Sequence, residues 1–235
     1  MIGIEATDMA RHWLLAASAG AVTAPLAGAL VAAAGFAERS PRLVAVASTA
    51  LALFSGAVAA ATFEACGGSP LAAGHALGGG RLVFIDGLST VLLPYAALVA
   101  TAVLLVAPRR ALDGRSVRRT LLGVAATLAV FVTSHPAVLV GLWVVTALHT
   151  WEGTRVTPGG GPAARVFAVY VGTALVLVAV GTAMLVVDPP WERSSGLVGT
   201  CGGWLVAIAV MIRKGIMPFH SWYPALFTGA PMSTR

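Results

Sequence analysis

Long apolar blocks separated by short polar or glycine-rich ones set the pattern of this chain. Residues 13–36, 43–63, 81–107, 120–151, 165–187 and 196 onward are apolar almost throughout. A helix crossing a bilayer of about 30 Å needs roughly 20 such residues. The first block runs to about 24, beyond the roughly 7–15 of a secretory signal core, so it reads as a span and not as a leader. It pairs with residues 43–63 across the charged turn Glu38-Arg39-Ser40-Pro41-Arg42. The glycine-rich residues 66–81 are too polar to stay helical in lipid and read as an external loop. The third span opens at Arg81 and carries Asp86 ahead of its main apolar run, as an interfacial N-cap, and Pro94 inside it, which predicts a kink. The block 120–151 is too long for one span. Ser134-His135-Pro136 divides it, with proline at a favoured helix start and His135 in the turn. Gly199 and Gly203 are spaced for close helix contact in the seventh span. The predicted fold is an all-α polytopic membrane helix bundle of about seven transmembrane helices. It is a single membrane domain over 1–235, with a two-helix hairpin and external loop in 1–83 and the remaining spans in 84–235.

Composition agrees with the pattern. The chain is 58% hydrophobic and 10% charged, with a mean hydropathy of +0.88, outside the range of soluble domains. The lipid bilayer is therefore its first partner. A net charge of +6 could point to nucleic acid, but the basic residues fall between apolar blocks without interleaved aromatics, and no nucleic-acid partner is expected. Loops after spans one, three and five carry two, five and two Lys or Arg. The N-terminal tail and the other loops carry one, one, zero and one. Nine against three places the first set in the cytoplasm and the N-terminus outside a cell (inner) membrane. Cys66 and Cys201 are too few for an iron–sulfur cluster or a structural zinc; they read as packing residues or one external disulfide. The Pro158-Gly-Gly-Gly-Pro162 run follows no strand, so it is a loop and not a phosphate cradle. No cofactor, metal, redox or hydrolytic site is expected.

Chemistry concentrates in Met211-Ile-Arg-Lys-Gly-Ile-Met-Pro-Phe-His220-Ser-Trp-Tyr-Pro224. Lys214 is the only lysine among fifteen Lys and Arg, and it interrupts an apolar run. Gly215 frees the backbone and Pro218 removes an amide donor, so the seventh helix should break just after the lysine. Two readings stand. Arg213 and Lys214 form an anchor pair whose side chains reach the headgroups, or Lys214 ends a broken helix inside a polar cavity, where desolvation lets it exchange a proton. The acids fall in tails, loops or helix ends, and none lies inside the first six spans. His149, near the end of the fifth span, and His220, beyond the break, are further proton-relay candidates because imidazole titrates near neutrality. Both are equally at home at a membrane interface.

Two stretches carry a family resemblance. Phe84-Ile-Asp-Gly-Leu-Ser89 resembles the Asp-x-Leu-Ser opening of the third helix in antiporter-like proton-conducting subunits of respiratory complex I and of Mrp-type cation/proton antiporters. Residues 213–234 resemble the broken-helix motif of the same family. The resemblance covers most of 84–235, which it makes a truncated half-channel, the chain being the N-terminal part of such a subunit. It implies a membrane subunit of an NADH:quinone oxidoreductase-type or antiporter complex, with other membrane subunits as partners. Proton or cation/proton translocation would pass through Lys214 as central lysine, with His220 after the break. The family commonly has glutamate after the tryptophan of helix five, as the charge partner of that lysine; here Trp143 is followed by Val144. That departure keeps open a non-conducting membrane anchor, or the membrane subunit of a bicarbonate-accumulating system. An unrelated small-solute transporter is a further reading.

Overall fold

A computed structural model describes residues 2–35, 40–75, 81–108, 112–156, 160–188 and 196–216. Among these, seven helices and one β-hairpin occur: α1 (Ile2–Ala33), α2 (Pro41–Ala65), β1 (Leu71–His75), β2 (Arg81–Ile85), α3 (Gly87–Val106), α4 (Gly114–Val132), α5 (Pro136–Val156), α6 (Gly161–Val187) and α7 (Leu197–Lys214). Five of them, α1, α2, α3, α6 and α7, are long and apolar enough to cross a membrane. The other two fall short of that mark. Helix α4 opens on Arg115, Arg118 and Arg119, and α5 closes on Glu152 and Arg155. The protein is a multi-pass helical membrane protein.

The chain divides into two compact units, Met1–Leu142 and Trp143–Arg235. In the first, α1, α2, α3 and α4 enclose three layers of core. Leu14, Ala17, Ala59, Phe63 and Ile85 pack at the hairpin end. Ala21, Ala24, Ala52, Leu93, Ala97 and Leu128 fill the middle. Ala29, Ala45, Leu104, Leu112, Val117 and Leu121 close the opposite end. Alanine dominates the inside while large apolar side chains face out: Leu30 is 71% exposed, Phe54 67% and Val103 62%. That distribution is inverted relative to a water-soluble bundle. It follows when lipid covers the outside and small residues let helices approach closely. At Gly56 of α2 a Cβ would stand 3.0 Å from the Pro94 nitrogen of α3, so the two backbones touch at the proline.

The β-hairpin corrects the expected start of the third span. Leu71, Ala72, Ala73 and His75 pair antiparallel with Ile85, Phe84, Val83 and Arg81, so residues 81–85 are strand and the helix begins only at Gly87. Asp86 sits between them with its side chain capping α3. Its Oδ1 accepts from the Ser89 amide at 2.7 Å and from Ser89 Oγ at 2.8 Å. The same device recurs at α4, where Asp113 Oδ1 accepts from the Ser116 amide at 3.0 Å. Both helices open on Asp-Gly-x-Ser, each aspartate supplying an acceptor to an amide of the first turn that the helix leaves unpaired.

In the second unit the remainder of α5 packs with α6 and α7. Ala147, Phe167 and Val171 form one cluster; Ala174, Val178, Ala209 and Ile212 form another, with Trp143 and Val206 against it. Helices α6 and α7 meet glycine to glycine. A Cβ on Gly181 would lie 2.8 Å from the Gly202 carbonyl oxygen, and one on Gly202 the same distance from that of Gly181. The contact uses Gly199 and Gly202. Gly203, expected to take part, has open space where a Cβ would go. At Gly199 a Cβ would stand 2.1 Å from the Asp188 carbonyl oxygen, because the end of α6 is folded onto the start of α7. The Asp188 carboxylate accepts from the Gly196 amide at 2.9 and 3.1 Å and from the Gly199 amide at 2.9 Å. These backbone donors, Gly199 first, hold its pKa below the ordinary carboxylate value.

Candidate functional site: the capped end of helix α7

Helix α7 is apolar from Leu197 to Ile212 and then ends on two cations. The ending is built by Gly215, which takes the left-handed conformation at φ 63° and ψ 34°. Its amide donates to the Ile212 carbonyl at 3.1 Å, and the Ile216 amide donates back to the Met211 carbonyl at 3.0 Å. This is a Schellman cap, and it turns the chain out of the helix axis directly after Lys214. Only glycine takes that conformation without a steric penalty. Pro218 and His220 lie outside the described residues.

The two adjacent cations go to different places. Arg213 is half-buried against α5: its Nη1 donates to the Trp143 carbonyl oxygen at 3.2 Å, its Nη2 donates to Thr146 Oγ1, and the guanidinium carbon lies 4.6 Å from the centre of the Trp143 ring. Thr146 Oγ1 in turn donates to the Trp143 carbonyl at 3.0 Å, so hydroxyl, carbonyl and guanidinium close a triangle. Planar, delocalised and weakly hydrated, a guanidinium suits such a stacked, partly dehydrated position better than an ammonium would. Lys214 is exposed, and among the described residues no carboxylate pairs with it. Its charge, like that of Arg213, lies in the last turn of α7, where the helix dipole favours a cation.

Of the sequence candidates, Lys214 and Gly215 thus share the end of α7. His149 is half-buried on α5, one turn beyond the Thr146 that Arg213 engages. Asp86 belongs to the first unit, at the start of α3, where the Ser89 amide above all lowers its pKa. Arg213 is the residue the sequence reading passed over as a specific contact. Trp143 and Thr146 fall on one face of α5, but which of the two adjacent cations turns to them depends on the rotation of α7, which the sequence does not carry.

Membrane-spanning helices, small residues inside, large apolar ones outside and a capped, cation-ended α7 define a polytopic membrane protein with charge at a helix end. Solved structures share this fold. A chain of the membrane-bound sulfane sulfur reductase, an archaeal respiratory membrane complex, superposes with a TM-score of 0.76 at 17% identity, over 91% of this chain and 48% of that one. A chain of respiratory complex I from Thermus thermophilus superposes with a TM-score of 0.71 at 19% identity, over 92% and 48%. The chain spans about half the length of the solved chains it matches. No family pattern and no curated protein matches it by sequence. The resemblance to complex I-like membrane subunits holds at the level of fold.

Proposed function

We propose that the chain is a proton-translocating membrane subunit of a complex I-like respiratory assembly, residing in the cell (inner) membrane with its N-terminus outside. Residues 84–235 form its conducting part, and other membrane subunits are its partners. The observation that carries this reading is the end of α7, where an apolar membrane helix stops under a glycine cap at Lys214 and leaves the ammonium exposed, while Arg213 alone is spent on holding the helix to α5. A lysine placed so is available to a polar path through the assembly. His149 and His220 are the further candidates for proton relay. The transport is of protons, or of a cation against protons, since lysine and histidine are side chains able to carry a proton. Replacing Lys214 with alanine in the intact complex tests the reading. Proton uptake by inside-out membrane vesicles, followed with a pH-sensitive dye, should fall at least about tenfold with the subunit incorporated normally.

A second reading is favoured by Val144, which stands directly after Trp143 where the family resemblance expects a glutamate. The chain would then anchor neighbouring subunits without conducting. Unchanged proton uptake by Lys214→Ala vesicles, with normal assembly, would establish it in place of the first.

A further inference from the structure

At the arginine-rich end of the first unit, the start of α2 and the end of α3 enclose a cavity of about 480 Å³, lined by Ser40, Pro41, Arg42, Leu43, Val46, Leu105 and Leu112. The volume falls within the range of small-molecule sites. Its walls are apolar apart from Ser40 and Arg42. Arg42 Nη2 donates to the Leu105 carbonyl oxygen, which fixes the guanidinium beside the cavity. A guanidinium has five N–H donors, and among the described residues Arg42 spends only this one, so most remain for a ligand. The Ser40 hydroxyl makes no capping bond to α2 and is equally open.

Position selects the ligand class. The chain runs up α2 and returns through α3, so the N-terminus of α2, the C-terminus of α3 and the N-terminus of α4 share one end, as the Arg42–Leu105 bond requires. Arg115, Arg118 and Arg119 belong to that end, and the one acid among the described residues there, Asp113, has its carboxylate turned to the Ser116 amide. An apolar recess opening at the ends of membrane helices, with a fixed cation beside it and further arginines around it, matches an amphiphile with a negative head and hydrocarbon tails. Basic recesses between membrane helices are where anionic headgroups bind. We infer that this cavity binds one anionic phospholipid, its phosphate on Arg42 and Ser40 and an acyl chain along Leu43, Val46, Leu105 and Leu112. The residues lining the site all belong to the first unit.

Native mass spectrometry of the purified, delipidated full-length chain in detergent tests the assignment, with phosphatidylglycerol and phosphatidylcholine of identical chains as probes. The wild type should retain the anionic lipid about fivefold better, the factor one basic side chain contributes at an anionic surface. Arg42→Gln should abolish the preference, and Val46→Trp, which fills the recess and keeps the cation, should abolish retention. Arg11→Gln makes the same charge change on an exposed position of α1, near the opposite, hairpin end of the first unit, and should keep both. Glycerol 3-phosphate, a head without tails, should not displace the lipid. Equal retention of the two lipids by the wild type would overturn the site, as would a loss in Arg11→Gln equal to that in Arg42→Gln. Retention by Val46→Trp, or displacement by glycerol 3-phosphate, would equally show that the recess is not a lipid seat.

Discussion

Arg213 and Lys214 are neighbours in sequence with opposite surroundings, and helix geometry explains why. Successive residues are about 100° apart around the axis, so when one faces α5 the other cannot. Arg213 spends two hydrogen bonds and a ring face on Trp143 and Thr146. Arg213→Ala should destabilise the chain by about 1–2 kcal/mol, from the cation–π contact and hydrogen bonds within a membrane protein. Arg213→Lys should recover less than half of this, because an ammonium cannot bridge carbonyl and hydroxyl in one plane. Thermal unfolding in detergent, followed by tryptophan fluorescence, reads both. Asp86 makes a separate prediction. Asp86→Ala removes the cap of α3 and should cost about 1 kcal/mol at neutral pH. The carboxylate's pKa is lower in the folded chain than its ordinary value of 3.8, the Ser89 amide being the main cause. Its contribution is therefore complete above that value and is lost as pH falls through the lower, folded pKa. The gap between wild type and Asp86→Ala should close on acidification in the same unfolding assay.

The helices themselves were largely legible in the chain. Apolar blocks of membrane length locate α2, α3, α6 and α7, and Pro136 marks the start of α5. What stayed hidden depends on tertiary partners. Residues 81–85 are apolar enough to read as helix. They become strand because Leu71–His75 lies beside them, and three of that partner's five residues are alanine or glycine, which carry little strand preference of their own. The rotation of α7 was hidden likewise: Gly199 and Gly203 have the spacing of a contact pair, yet α6 crosses at Gly202. Which of two adjacent cations meets α5 is the same question of rotation, and the sequence carries no answer to it. The glycine crossing can be tested directly. Gly202→Val places carbon where the Gly181 carbonyl stands and should destabilise the chain by about 1–3 kcal/mol. Gly203→Ala points into open space and should change stability by less than about 0.5 kcal/mol. Unfolding midpoints in detergent give both values.

For the molecule as a whole, the fold is that of chains in two respiratory membrane complexes, and the proposed role turns on whether Lys214 moves a proton or only carries a charge. Removing the side chain does not separate these as sharply as exchanging it. Arginine keeps the charge and about the same reach, but its guanidinium does not release a proton at any physiological pH. The measurement is proton translocation per turnover by the intact complex carrying Lys214→Arg, with incorporation of the subunit checked in the same membranes. A proton carrier at this position predicts a loss of at least about tenfold. Translocation at the wild-type level would show that Lys214 anchors α7 by charge alone, and would contradict the account.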